Sequence, residues 1–270
     1  MMTVELNARQ SGPVASGRLP LIVLHGLFGS LDNLGGIIRR LEDRWQIHAL
    51  DQRNHGQSPH TDAMDYPVMA ADVLAYMDKQ GLERACVLGH SMGGKVAMQL
   101  ALLAPDRVDR VIVADISPVA YKPRHDVILE GLTAINFSAV SSRTEADRQM
   151  ANFVADAGVR QFLLKNLERI PKDQAIEGGP VFRWSLNLET IERCYSELTD
   201  APQGEGPFDG PVLFIKGADS AYLQSKHKDV ILQLFPNASV KVIEGTGHWL
   251  HAEKPDTFAT LCVDFLATDD

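Results

Sequence analysis

Six short runs rich in aliphatic and β-branched residues recur along the chain, at Leu21–Leu24, Gln46–Leu50, Ala85–Leu88, Val111–Ala114, Val212–Ile215 and Val240–Ile243. Each predicts a strand buried on both faces, as the strands of parallel sheets are. Helical patterns lie between several of them, at Leu31–Leu41, Tyr66–Lys79, Met92–Leu103, Lys226–Phe235 and Pro255–Leu266, the last with proline in a first-turn position. Strands and helices in this alternation predict an α/β architecture with a mostly parallel, doubly wound sheet. The opening Thr3–Arg9 alternates weakly and predicts an antiparallel edge strand.

The alternation stops between about Ile116 and Thr199, where the sequence turns into helix-like segments: Asp126–Ile135, Glu145–Ala155, Gly158–Leu167 and Leu188–Ser196. A Pro/Gly-rich linker, Ala201–Pro211, precedes the next strand at Val212. An insertion at the ligand-binding edge of an open sheet predicts a helical cap over the crevice. A chain of 270 residues suits one catalytic domain with such an appendage: a core of residues 1–115 and 208–270, and a cap of residues 116–207.

Composition removes several function classes. Hydrophobic residues make up 45% and charged residues 23%, values of an ordinary globular protein, which excludes disordered, collagen-like and coiled-coil chains. With a net charge of −9 and no run of Lys or Arg long enough to track a phosphate backbone, the chain is not expected to bind nucleic acid. The N-terminal MMTVELNARQSG has no basic start followed by an apolar stretch, and no window reaches the roughly 18 apolar residues of a membrane span, so a cytoplasmic protein without membrane insertion is expected. Cys86, Cys194 and Cys262 are odd in number and far apart, the pattern of reduced thiols.

The chemistry centres on Gly89-His90-Ser91-Met92-Gly93, which directly follows one predicted strand and opens a predicted helix. A strand turning sharply into a helix strains the backbone at Ser91 and exposes its hydroxyl, and glycines two residues to either side remove side chains that would collide there. The helix N-terminus then lies under a reacting carbonyl, where the Met92 amide is one expected oxyanion donor. A second should come from the loop after Leu21–Leu24, in His25-Gly26-Leu27-Phe28-Gly29: Leu27 first, Phe28 as the alternative.

A serine hydroxyl needs a base, which points to a histidine after the last strand. Of nine histidines, His248 is best placed, carried by the Glu244-Gly245-Thr246-Gly247 loop. His251 and Glu253 have the look of metal ligands, but no matching third ligand cluster accompanies them, so no metal is assigned. His90 and His55 are expected to be structural. Two aspartates compete to orient the imidazole. Asp115 ends the strand Val111–Ala114 and is favoured; Asp219 lies one residue short of the usual position, three after Gly217, where Ser220 stands.

Together LIVLHGLFGSLDNLG, DQRNHGQS, GHSMGGK and GHWLHAEKP resemble a group of bacterial esterases in the α/β-hydrolase family, over about Leu21 to Leu266. The resemblance implies the α/β-hydrolase fold, with the cap inserted after the strand that is sixth in the family's pattern. It also implies Asp115 as the acid, and activity on short acyl esters and acyl-CoA thioesters without metal or organic cofactor. Asp219 departs from the group, which often has Asn there. Phe182-Arg183-Trp184-Ser185-Leu186-Asn187 resembles the family's cap segment.

The expected reaction is therefore acyl transfer through Ser91, His248 and Asp115, with a small acyl ester or thioester as substrate. Phe28, Phe182, Trp184 and Trp249 are the expected substrate-binding side chains, while Phe137, Phe153, Phe162 and Tyr195 more simply pack the cap. Lys122, Arg124 and Arg183 are read as solvated rather than as partners of a CoA phosphate. A carbon–carbon bond hydrolase or a cofactor-free peroxidase-like enzyme would use the same three residues; a noncatalytic ligand receptor on this scaffold is the reading from outside enzymes.

Overall fold

The computed structural model describes residues 2–14 and 17–267. Among the described residues nine strands occur in chain order: β1 (Ala8–Ser11), β2 (Leu21–Leu24), β3 (Ile47–Leu50), β4 (Ala85–His90), β5 (Val108–Ala114), β6 (Leu167–Arg169), β7 (Phe182–Trp184), β8 (Val212–Gly217) and β9 (Ala238–Ile243). Seven of them form one sheet in the order β1-β3-β2-β4-β5-β8-β9. Every pairing is parallel except β1 with β3. The flanking helices are α1 (Gly35–Leu41), α2 (Tyr66–Gln80), α3 (Met92–Leu103), α9 (Lys228–Leu234), α10 (Leu250–Glu253) and α11 (Pro255–Leu266); α4 to α8 belong to the segment between β5 and β8. Among the described residues, no helix is long and apolar enough to cross a membrane.

Side chains of a strand alternate between faces, and the core divides accordingly. Ile22 and Leu24 join one buried cluster with Val96, Leu100 and Val73 from α3 and α2, whereas Leu21 and Val23 join another with Ile37, Ile38, Phe258 and Cys262 from α1 and α11. The chain runs from β2 outward to β3, then crosses back to β4 on the other side of β2. That reversal leaves a crevice between the carboxyl ends of β2 and β4, the place where open α/β sheets bind ligands.

The edges depart from expectation. The N-terminal strand spans Ala8–Ser11 and not Thr3–Arg9, because side chains take amides that a ladder would have used: Val4 N–H donates to Asp72 at 2.8 Å and Asn7 N–H to Ser58 Oγ at 2.8 Å. β9 is exposed along Ser239–Val242, with Lys241 among them, and so is an edge strand rather than one buried on both faces.

The segment 116–207 adds no strand to the large sheet. It holds α4 (Asp126–Thr133), α5 (Arg143–Met150), α6 (Ala157–Leu164), α7 (Leu188–Arg193) and α8 (Tyr195–Thr199). Side-chain caps mark three starts: Ser142 accepts from Glu145 N–H, Asp156 from Val159 N–H and Asn187 from Thr190 N–H. The segment is not wholly helical, since β6 and β7 pair antiparallel, ending the helix expected through Leu167 at Leu164. The helix expected over Leu188–Ser196 is split at Cys194, which caps the end of α7 and the start of α8.

One buried ion pair holds the loop after β3. Arg53 Nε lies 2.6 Å and Nη2 2.8 Å from the two carboxylate oxygens of Asp72 on α2, and both side chains are at most 2% exposed. Beside it, Asp51 accepts the amides of Leu31 at 2.8 Å and Gln57 at 2.9 Å, tying this loop to the one after β2. Removing one partner of a buried pair strands the other charge in a low-dielectric interior. Asp72→Ala should therefore destabilise the fold by about 3–5 kcal/mol. The loss is read as a lowered urea midpoint or melting temperature; a shift of under about 2 °C would show that the pair is not stabilising.

Candidate active site

Ser91 sits alone between β4 and α3 with φ 53° and ψ −118°, a left-handed-side conformation that costs a non-glycine residue about 1–3 kcal/mol. Its N–H donates to Ala114 O at 3.0 Å, and its carbonyl accepts from Gly94 at 2.8 Å and Lys95 at 3.2 Å, so β5 and the first turn of α3 hold the strained turn. The glycines are sterically required. A Cβ on Gly89 would lie 2.1 Å from Gly93 O, and one on Gly93 would lie 2.4 Å from Leu24 O.

His248, on the loop after β9, brings Nε2 to 3.0 Å from Ser91 Oγ and Nδ1 to 2.7 Å from Asp115 Oδ2. Asp115 is completely buried and holds a positive φ of 51°. Its Oδ1 accepts from Gly217 N–H at 3.1 Å and its Oδ2 also accepts the Ser220 hydroxyl. Ser220, three residues after Gly217, thus supports the carboxylate of Asp115. Asp219 is exposed, bonds Thr246 O through its main chain at 2.9 Å and makes no side-chain hydrogen bond to His248. The geometry joins Ser91, His248 and Asp115 and leaves Asp219 out.

The amides of Leu27 and Met92 have no acceptor among the described residues and flank Ser91. The alternative donor, Phe28, does not fit: its N–H is spent on His55 Nε2 at 3.2 Å, while His55 Nδ1 donates to Arg53 O at 3.0 Å. His55 is thereby a loop holder. His90 likewise donates from Nε2 to His248 O at 2.9 Å, away from Ser91. His251 packs 4.4 Å from the His90 ring, and Glu253 accepts Gly247 N–H at 2.8 Å.

Two cavities meet at Ser91 and share only Leu27, Ser91 and His125. The larger, about 490 Å³, is lined by Phe28, Phe162, His248, Trp249 and His251, among others. The smaller, about 40 Å³, is lined by Met92, Lys95, Tyr66, Tyr121, Tyr195 and Tyr222, among others. Of the four expected substrate-binding side chains, Phe28 and Trp249 line the larger cavity. Phe182 and Trp184 reach neither, because β7 turns them into the inserted segment: Arg169 lies over the Phe182 ring, and Trp184 packs on Phe137 and donates from Nε1 to Leu132 O at 3.0 Å. Lys95, His125 and Tyr222 escaped the sequence reading. Lys95 follows Ser91 by one helical turn within the GHSMGGK motif, a signal that was present; Tyr222, stacked 4.3 Å from the His248 ring, had none.

Burial dominates the electrostatics. It lowers the pKa of His125 to about 4 and those of His55 and His251 to about 3, with neighbouring imidazoles adding to the effect, and it lowers His25 and His90 as well. Lys95 is lowered to about 7 by the same cause. A histidine neutral when folded but titrating near 6.5 when unfolded gives stability that is present above pH 6.5 and lost as pH falls toward the folded value. Each such group contributes up to about 1.4 kcal/mol per pH unit between those limits. The melting temperature should drop steeply from pH 6.5 to pH 4, and His251→Gln should flatten the drop. A pH-independent melting temperature over that interval would contradict the burial of these rings.

Comparison with known proteins agrees with this architecture. The family described as having the alpha/beta hydrolase fold matches residues 20–255. Esterase YbfF of Escherichia coli (strain K12) is 39% identical over 255 residues, covering 94% of this chain and 95% of that protein. The sn-1-specific diacylglycerol lipase ABHD11 of Mus musculus is 38% identical over 258 residues, covering 92% of this chain and 81% of that protein. A solved structure described as a marine microorganism esterase superposes with a TM-score of 0.91 at 38% identity, covering 97% of this chain and all of that one. With its doubly wound sheet, its strained serine turn and these relatives, the chain belongs to the α/β-hydrolase fold family.

Proposed function

We propose that the chain is a serine carboxylesterase working through an acyl-enzyme on Ser91, with residues 116–207 as a cap over the site. The observation that carries this reading is the unbroken chain of hydrogen bonds from Ser91 Oγ through His248 to the buried Asp115, beside two unengaged amides. Ser91 Oγ attacks the ester carbonyl carbon while His248 Nε2 takes the hydroxyl proton. Asp115 keeps the other imidazole proton on Nδ1, so that Nε2 is the basic nitrogen, and favours the imidazolium that forms. The Leu27 and Met92 amides donate to the developing oxyanion. Nε2 then returns its proton to the leaving oxygen, and water, deprotonated by the same nitrogen, releases the acid and restores Ser91.

The relatives named as esterase and diacylglycerol lipase support carboxylic esters as the substrate class. A thioester of CoA has less support, since Arg183 is paired with Glu168 at 2.5 Å and Arg124 lies over the Tyr121 and Tyr222 rings. The intact relay favours a catalyst over a ligand receptor.

On p-nitrophenyl butanoate, Ser91→Ala should lower kcat/KM by about 10⁴-fold or more, and a fluorophosphonate should label Ser91 in the wild type alone. Retention of wild-type turnover by the variant would refute the acyl-enzyme. Asp115→Asn should lower kcat by about 10⁴-fold through the wrong imidazole tautomer, whereas Asp219→Asn should leave it within about threefold. The opposite ranking would make Asp219 the acid.

A further inference from the structure

We infer that the two cavities divide the ester between them: the small chamber takes the acyl group, the large one takes the alcohol, and the substrates are short acyl esters of bulky alcohols. The inference rests on the esterase reading and adds to it a direction and a size.

Three groups surround the carbonyl carbon once Ser91 has attacked, and the site has a place for each. The oxyanion points at the Leu27 and Met92 amides. The leaving oxygen must face His248 Nε2, because that atom, 3.0 Å from Ser91 Oγ, holds the proton the alcohol needs. His248 lines the large cavity and not the small one. The acyl chain takes the remaining direction, into the small chamber beyond Met92.

The volumes then set the preference. A water-sized probe needs about 10–15 Å³, so the small chamber's 40 Å³ admits an acyl group of about two to four carbons, while the large chamber's 490 Å³ accepts far bulkier alcohols. The wall of the small chamber is also held by hydrogen bonds. Lys95 Nζ donates to the Thr199 and Asp200 carbonyls and lies 5.3 Å and 4.8 Å from the centres of the Tyr66 and Tyr121 rings. The Tyr66 hydroxyl donates to Leu198 O, and Tyr121 N–H donates to Thr199 O at 2.9 Å. These bonds tie α2 and α3 to the far end of the inserted segment and that end to Tyr121 near its start, so widening the chamber would break hydrogen bonds. The large chamber has a different wall, with α6 meeting the core through the Phe162–Trp249 contact at 5.9 Å.

The test is a matrix of esters: p-nitrophenyl acetate, butanoate and octanoate for the acyl side, and the acetates of 4-nitrophenol, 1-naphthol and 4-methylumbelliferone for the alcohol side. In a fixed apolar pocket one surplus methylene costs about 10-fold or more in kcat/KM, so octanoate should fall at least about tenfold below butanoate while the acetates stay within about tenfold of one another. Leu198→Ala, which removes part of the small chamber's wall, should raise the octanoate-to-butanoate ratio by about tenfold, and Phe162→Ala should leave that ratio unchanged. Equal use of octanoate and butanoate, a steep loss with the larger alcohols, or a ratio altered by Phe162→Ala instead would overturn the partition. The wild-type matrix decides the matter even if Leu198→Ala does not fold. Failure to hydrolyse any of these esters would be a different result, one that refutes the esterase reading beneath the partition.

Discussion

A carboxylate with no exposure to water has to be satisfied by the protein, and the arrangement around Ser91 follows from how Asp115 is satisfied. Its partners come from Gly217 at the end of β8, from Ser220 just beyond it, and from His248 on the loop after β9. Two segments distant in sequence from Asp115, the turn after β8 and the loop after β9, are thereby drawn to the carboxyl end of β5. Because β5 lies beside β4 in the sheet, the imidazole held by Asp115 falls within reach of Ser91, whose own N–H is bonded to Ala114. The position of the His248 imidazole follows from the need to hydrogen-bond a buried carboxylate, and its approach to Ser91 Oγ is a consequence.

The same logic of buried polar groups organises the loop after β2. His55 and His25 each accept a main-chain amide through Nε2, from Phe28 and Gln52. A charged imidazole has no lone pair to accept with, so both must remain neutral, as their burial also demands. His55 takes the Phe28 amide, while the neighbouring Leu27 amide has no acceptor among the described residues. Histidines that look dispensable beside His248 thus decide which amides of that loop are taken up inside the protein.

Much of this was legible in the chain. The β4–Ser91–α3 turn was visible because its glycines answer a steric requirement confined to a few consecutive residues, and α3 and α11 occupy their expected spans because their apolar periodicity and local starts agree. The parallel core strands were legible for the same reason. What misled were features whose cause lies elsewhere in the fold. Thr3–Asn7 fails to form a strand because Asp72 and Ser58 take its amides, β9 is exposed because nothing pairs beyond it, and Phe182 and Trp184 turn away from the site because β7 pairs with β6.

The sequence by itself determined the alternation of strands and helices, the serine turn and the identity of His248 as the late histidine, since each depends on propensity, periodicity or contacts within a few residues. The sequence favoured Asp115 over Asp219 and Leu27 over Phe28 without excluding either alternative; only the tertiary structure shows His248 bonded to Asp115 and the Phe28 amide taken by His55. It alone also divided the crevice into a small tyrosine-lined chamber and a large one. Those outcomes depend on which distant partners a buried carboxylate, a loop amide and a lysine find, and that is settled when the sheet order and the inserted segment bring them together.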